Sequence, residues 1–154
     1  MCAYEKLASL SIELPKASPR GGLYVPLKHF GEKLVYASGK GPDFDGDTFK
    51  KGKLGKDLTV DEGKEAARRC ALNILATIHE DIGDLNKVKS IVKILAFVAC
   101  DSEFYDQPKV VNGASELLEA VFGATAGIGA RSAIGTNALP GNIPVEVELL
   151  FELK

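Results

Sequence analysis

The stretch Val88–Cys100 narrows the possible folds more than any other part of the chain. It reads as one long strand with apolar residues on both faces. Alternation puts Val88, Val92, Ile94, Ala96 and Val98 on one face, and Ile91, Leu95 and Phe97 on the other. A strand apolar on both sides normally lies inside a sheet that is covered on both sides. Helices of the same chain can supply one cover. The second must come from another layer or another subunit, unless the outer face merely tolerates scattered apolar residues.

The rest of the chain supplies two such helices. Thr59-Val-Asp-Glu62 is a capping box. Ala66, Ala67, Cys70, Ala71, Ile74, Leu75 and Ile78 follow it at helical spacing, with Arg68, Arg69, Asn73 and Glu80 off the stripe. That helix stops near Ile82-Gly83. Pro108 opens the second helix, with Asp106 or Gln107 near its cap. Val110, Val111, Ala114, Leu117, Leu118, Val121 and Phe122 form its stripe, and Gly123 ends it.

Further strands are expected at residues 23–30 and 33–39, a hairpin turning at Gly31-Glu32, and at 131–136 and 144–153. Pro26 lacks an N–H, which makes the first of these an edge strand or one with a bulge. Residues 5–14 read as a short helix or turn, with Leu7, Leu10 and Leu14 at helical spacing. The order β-β-α-β-α-β-β contains two β-α-β passages. It predicts an α+β fold: a two-layer sandwich of a mixed sheet with two helices on one face. The uncovered face then predicts a homo-oligomer built sheet to sheet.

Composition limits the function classes. The chain has 154 residues, enough for one domain with a proper core, and its 45% apolar and 26% charged content argues against long disorder. Net charge is −2 with no basic run, so the electrostatic footprint of a nucleic-acid binder is missing. Lys50, Lys51, Lys53 and Lys56 are interleaved with Asp45, Asp47 and Asp57 and read as a solvated loop. Cys2, Cys70 and Cys100 are too few and too scattered for a disulfide framework, which fits a reducing compartment. No signal segment or apolar span is recognisable, so a cytoplasmic location is expected.

Familiar catalytic patterns are equally scarce. His29 and His79 lie too far apart for a zinc motif. Asp43, Asp45 and Asp47 imitate the start of a calcium loop, but Phe49 and the missing downstream glutamate break the pattern. Gly127-Ile-Gly129 continues to Ser132 rather than a third glycine, and no strand leads into a helix there. Arg131 stands out among Ala130, Ser132, Ala133 and Ile134 at a strand start. A guanidinium so placed is either a fork for a carboxylate ligand or one half of a salt bridge, within the chain or between subunits. Glu146 and Glu148 share one face of the last strand, opposite Val145. If that face is an interface, both acids must be paired or line a cleft.

Residues 130–135, then Ala138-Leu-Pro140 and Val145-Glu-Val-Glu148, resemble the closing motif of the RidA/YjgF family. That family comprises reactive-intermediate deaminases, also described as endoribonuclease L-PSP. The resemblance takes in residues 34–39, 55–63, 71–76, 83–85 and 107–115, and covers roughly 20–154. It implies one chorismate-mutase-like α+β domain over 1–154, with 1–20 as an N-terminal extension. It also implies a homotrimer with sites at subunit interfaces.

The implied activity is hydrolysis of enamines and imines of the 2-aminoacrylate type to 2-keto acids and ammonia, with neither cofactor nor metal. By motif position, Arg131 matches the arginine that binds the substrate carboxylate. Glu146 matches the acid associated with the attacking water. Tyr24 and Ser38 match cleft residues from the hairpin. Ala133 stands where better-known members carry a cysteine whose backbone lines the site, and Gly129 where a subgroup often has histidine. Two other readings remain open: a non-catalytic module that binds small carboxylates in the same clefts, and an endoribonuclease.

Overall fold

The capping box forms as its sequence dictates. In the structure, a computed structural model that describes residues 1–154, Thr59 Oγ1 accepts from Glu62 N–H at 3.2 Å, and Glu62 accepts from Thr59 N–H at 2.8 Å. Helix α2 then runs over Val60–Ile82 and ends where Gly83 takes the left-handed conformation at φ 86°. The other elements are α1 (Ala3–Ser9), β1 (Leu27–Phe30), β2 (Leu34–Lys40), β3 (Val88–Ala99), α3 (Gln107–Phe122), α4 (Ala124–Gly127), β4 (Ala130–Thr136) and β5 (Val145–Leu153).

The five strands lie in the order β1-β2-β5-β3-β4. Only the β3–β4 pair is parallel, and α3 is its crossover. Strand β5 sits between β2 and β3 and pairs antiparallel with both. The mixed sheet with α2 and α3 against one face is the α+β sandwich that the element order predicts. Its core interleaves Val145, Val147, Leu149 and Phe151 of β5 with Cys70, Ile74 and Ile78 of α2 and Val110, Ala114 and Leu118 of α3, all fully buried. Each large aliphatic side chain buried this way contributes about 1.5–3 kcal/mol.

Four expectations need correction. The N-terminal helix ends at Ser9 rather than near 14, because Ser11 adopts φ 54°. It buries Ala3 and Leu7, one turn apart, and leaves Leu10 46% exposed. Strand β1 begins at Leu27, directly after Pro26, and not at 23. In β3, register shifts between Val88 and Ser90 and between Ile91 and Lys93 change the side-chain phase. Ile91 therefore joins the core, while Val92 is 38% exposed. Lastly, Asn73 of α2 lies off the apolar stripe in sequence yet is completely buried.

Beyond the bulges, Leu95 and Phe97 lie on the sheet face away from the helices, as expected. They share it with Glu146, Glu148 and Leu150 of β5 through the β3–β5 register. No helix of the chain covers this face.

Candidate active site

Glu146 is an acid whose pKa the fold raises. It leaves β5 on the uncovered face, since Val145 and Val147 on either side are fully buried toward the helices. Burial pushes its carboxyl above the ordinary carboxylate range, and the neighbouring Glu148 charge adds to the rise. No cation or hydrogen-bond donor of the chain offsets that shift. Glu148 differs, because Tyr36 Oη donates to it at 2.7 Å. That bond holds the phenol proton and raises the Tyr36 pKa.

Gly39 is what lets the Glu146 carboxyl lie flat on β2. A Cβ at this glycine would stand 2.2 Å from Glu146 Oε1. The β2–β5 register shifts between Ala37 and Lys40, so Ser38 and Gly39 form an irregular stretch of the strand. Ser38 Oγ donates to the Val25 carbonyl at 2.7 Å, and Ser38 N–H to Pro26 O at 2.9 Å. These bonds fix the segment that precedes β1. There Tyr24 Oη accepts from Gly21 N–H at 3.0 Å. Together Gly21, Tyr24, Ser38, Gly39, Pro140 and Glu146 line a cleft of about 390 Å³.

Arg131 lies elsewhere. Its guanidinium turns to the helix side, where Nη1 donates to Asn112 Oδ1 at 2.8 Å and Ser115 Oγ at 3.1 Å. Nη2 reaches the Pro108 carbonyl at 3.4 Å. All three acceptors are neutral, so no salt bridge within the chain compensates the charge. Glu146 pairs with Phe97, and Phe97 with Ile134, which places Arg131 two strands away and three residues back along β4. The arginine thus faces α3 at one edge of the sheet, while the glutamate occupies the opposite face. Ala133 points to the helix side as Arg131 does and packs against the core.

Of the predicted residues, the fold therefore brings Tyr24, Ser38 and Glu146 together and keeps Arg131 and Ala133 apart from them. Gly39 and Asn112 were missed. A glycine inside a strand is the signal for Gly39, since it often marks a close approach. Asn112 has no such signal, as a polar residue on a helix flank looks like solvated surface.

The remaining motifs resolve into structural roles. Asp43 pairs with Lys51, Asp45 with Lys16 and Asp47 with Arg69. His79 Nδ1 is engaged with Tyr4 Oη at 2.8 Å. No helix is long and apolar enough to cross a membrane.

Comparison with known proteins places this geometry in context. A family model described as "YjgF/chorismate mutase-like, putative endoribonuclease" matches residues 4–153. Protein TCP17 of Trypanosoma cruzi is 42% identical over 147 residues, which cover 96% of this chain and 91% of that protein. Protein Atu1372 of Agrobacterium tumefaciens, whose function is described as unknown, is 37% identical. Its structure superposes with a TM-score of 0.89 over 99% of this chain and 92% of its own. A putative endoribonuclease of Shewanella oneidensis is 30% identical, with a TM-score of 0.94 over 99% of this chain and 100% of its own.

Proposed function

Because the chain belongs to the YjgF/chorismate mutase-like family, we propose that it hydrolyses reactive enamines and imines of small 2-amino acids without a cofactor. The products are 2-keto acids and ammonia. The observation that carries this reading is Glu146, a half-buried, unpaired carboxyl with a raised pKa, facing Tyr24 and Ser38 across a small cleft. A carboxyl whose pKa is raised holds its proton more firmly than an exposed one and can both give it up and take it back during the reaction.

The reaction needs little else. A 2-aminoacrylate first tautomerises to its imine by gaining a proton at the terminal carbon and losing one from nitrogen. Water then adds at the imine carbon, and its oxygen forms the new C–O bond. Collapse of the carbinolamine breaks the C–N bond and expels ammonia, leaving the keto acid. In this reading Glu146 orders the water and shuttles its proton to the departing nitrogen. Arg131 offers the substrate carboxylate the N–H groups that Asn112, Ser115 and the Pro108 carbonyl leave free, and because all three partners are neutral its charge is unmatched.

The two residues serve one substrate only if the second comes from another copy of the chain. The uncovered sheet face supports that arrangement, and the proposed assembly is a homotrimer with clefts at its interfaces. A binding module for small carboxylates is the second reading, and the separation of Arg131 from Glu146 within one chain is what favours it.

Incubation with freshly generated 2-iminobutanoate separates the two. The deaminase releases ammonia well above the buffer rate, and Arg131→Ala loses about a hundredfold in kcat/KM, the size expected for a lost charge-assisted bidentate contact. Ammonia release no faster than in buffer, with saturable 2-ketobutyrate binding, sinks the deaminase reading in favour of the module.

A further inference from the structure

Two buried polar side chains are spent on the loops around the cleft rather than on the core. Asn73, midway along α2, is fully buried, and Lys40, at the end of β2, is 5% exposed. Asn73 Oδ1 accepts from Ser18 N–H at 3.0 Å. Its Nδ2 lies within hydrogen-bond distance of Ser18 Oγ at 2.9 Å, Asp43 O at 2.9 Å and Gly41 O at 3.2 Å. Lys40 Nζ donates to the Ser18 carbonyl at 2.8 Å. Ser18 is thereby held at its amide, its hydroxyl and its carbonyl. Ala17 N–H adds a further tie to Glu80 Oε1 at 3.1 Å.

The segment pinned in this way becomes a wall of the cleft a few residues later. Arg20 Nη1 donates to the Tyr24 carbonyl at 3.0 Å, and Gly21 N–H to the Tyr24 hydroxyl at 3.0 Å. Gly21 and Gly22 give the backbone little stiffness of their own. The other wall is held from the same point, because Gly41, bonded to Asn73, lies just beyond Gly39, the residue beneath Glu146. One side chain of α2 thus spans both walls.

We infer that Asn73 and Lys40 are positioning residues that clamp segment 17–24 to the end of β2 and so set the separation of Tyr24 from Glu146. The kinetic part of this inference rests on the deaminase reading, and the clamp rests on geometry alone. Burial depresses the Lys40 ammonium pKa, opposed by the Glu80 and Asp81 charges. The lysine is therefore held at a cost that an apolar residue would not incur.

Hydrogen exchange and steady-state kinetics on Asn73→Ala and Lys40→Met test the clamp, with Ile78→Val as a core-destabilised control. Amide protection over residues 16–25 is expected to fall by about tenfold in both clamp variants and to stay near the parent value in the control. KM for 2-iminobutanoate is expected to rise by about tenfold while kcat changes by less than about threefold, since the clamp sets binding geometry. Unchanged protection in both clamp variants overturns the inference. So does a looser segment with an unaltered KM, or an equal rise of KM in the control. Should Asn73→Ala not fold, Lys40→Met carries the test, because it keeps the buried stem and removes one hydrogen bond. If the parent protein turns over no imine, the deaminase reading falls, and the exchange data alone decide the clamp.

Discussion

At the scale of single residues, Glu146 has a measurable signature apart from activity. Its folded pKa lies above the unfolded value, so the fold binds this proton more tightly than the unfolded chain does. Below the unfolded pKa of about 4.3 both states hold the proton and the group is neutral to stability. As pH rises through the folded value, the native state carries a half-buried charge and loses stability. Glu146→Gln is therefore expected to melt above the parent at pH 7, with the two melting temperatures converging below about pH 4. Thermal denaturation across that range checks it, and a parent that melts higher at pH 7 contradicts the assignment. If Glu146 carries the proposed reaction, such a gain is the common trade between stability and activity.

Sequence alone placed Glu146 on the right face, because strict alternation with Val145 and Val147 leaves no choice. It could not show the raised pKa, which depends on Gly39 lying beneath the carboxyl and on Glu148 beside it. Nor could it show Asn73 as buried, since its partners Ser18, Gly41 and Asp43 are far away in the chain.

At the scale of elements, what is local in the chain was legible and what is relational was not. The capping box, the Gly83 stop and the apolar stripes of α2 and α3 all follow from spacing and backbone preference. Removing the Thr59 hydroxyl by Thr59→Ala is expected to cost about 1 kcal/mol. For a chain of this size that lowers the melting temperature by about 2–4 °C, read by circular dichroism. A smaller loss would mean that tertiary packing, rather than the cap, holds the first turn. The β3 bulges escaped notice because they arise from how β3 registers with β5. Two apolar neighbours such as Ile91 and Val92 carry no sign of which one faces inward.

At the scale of the whole molecule, the sheet is finished on one face only. Tyr36 at 38% exposed and Ile134 at 46% exposed mark a surface more apolar than an isolated chain needs. The proposed trimer predicts a solution mass well above the 16.4 kDa of one chain. Ile134→Asp places a charge on that face without disturbing the core. It is expected to yield a folded protein of monomer mass by light scattering, with loss of imine hydrolysis. A variant that keeps the parent's mass would show that this patch is not the interface.

The position of β5 in the sheet also bears on how the protein comes into being. This strand is last in the chain yet lies between β2 and β3, and every alternate side chain from Val145 to Phe151 is sealed in the core. During synthesis, β2 and β3 emerge with the gap between them empty, and α2 has no complete surface on which to settle. The sheet closes only once residues 145–153 are available to pair, so the earlier strands wait on this one rather than assembling stepwise. A chain that lacks β5 exposes the facing edges of β2 and β3, and unpaired edges of this kind invite pairing with other chains.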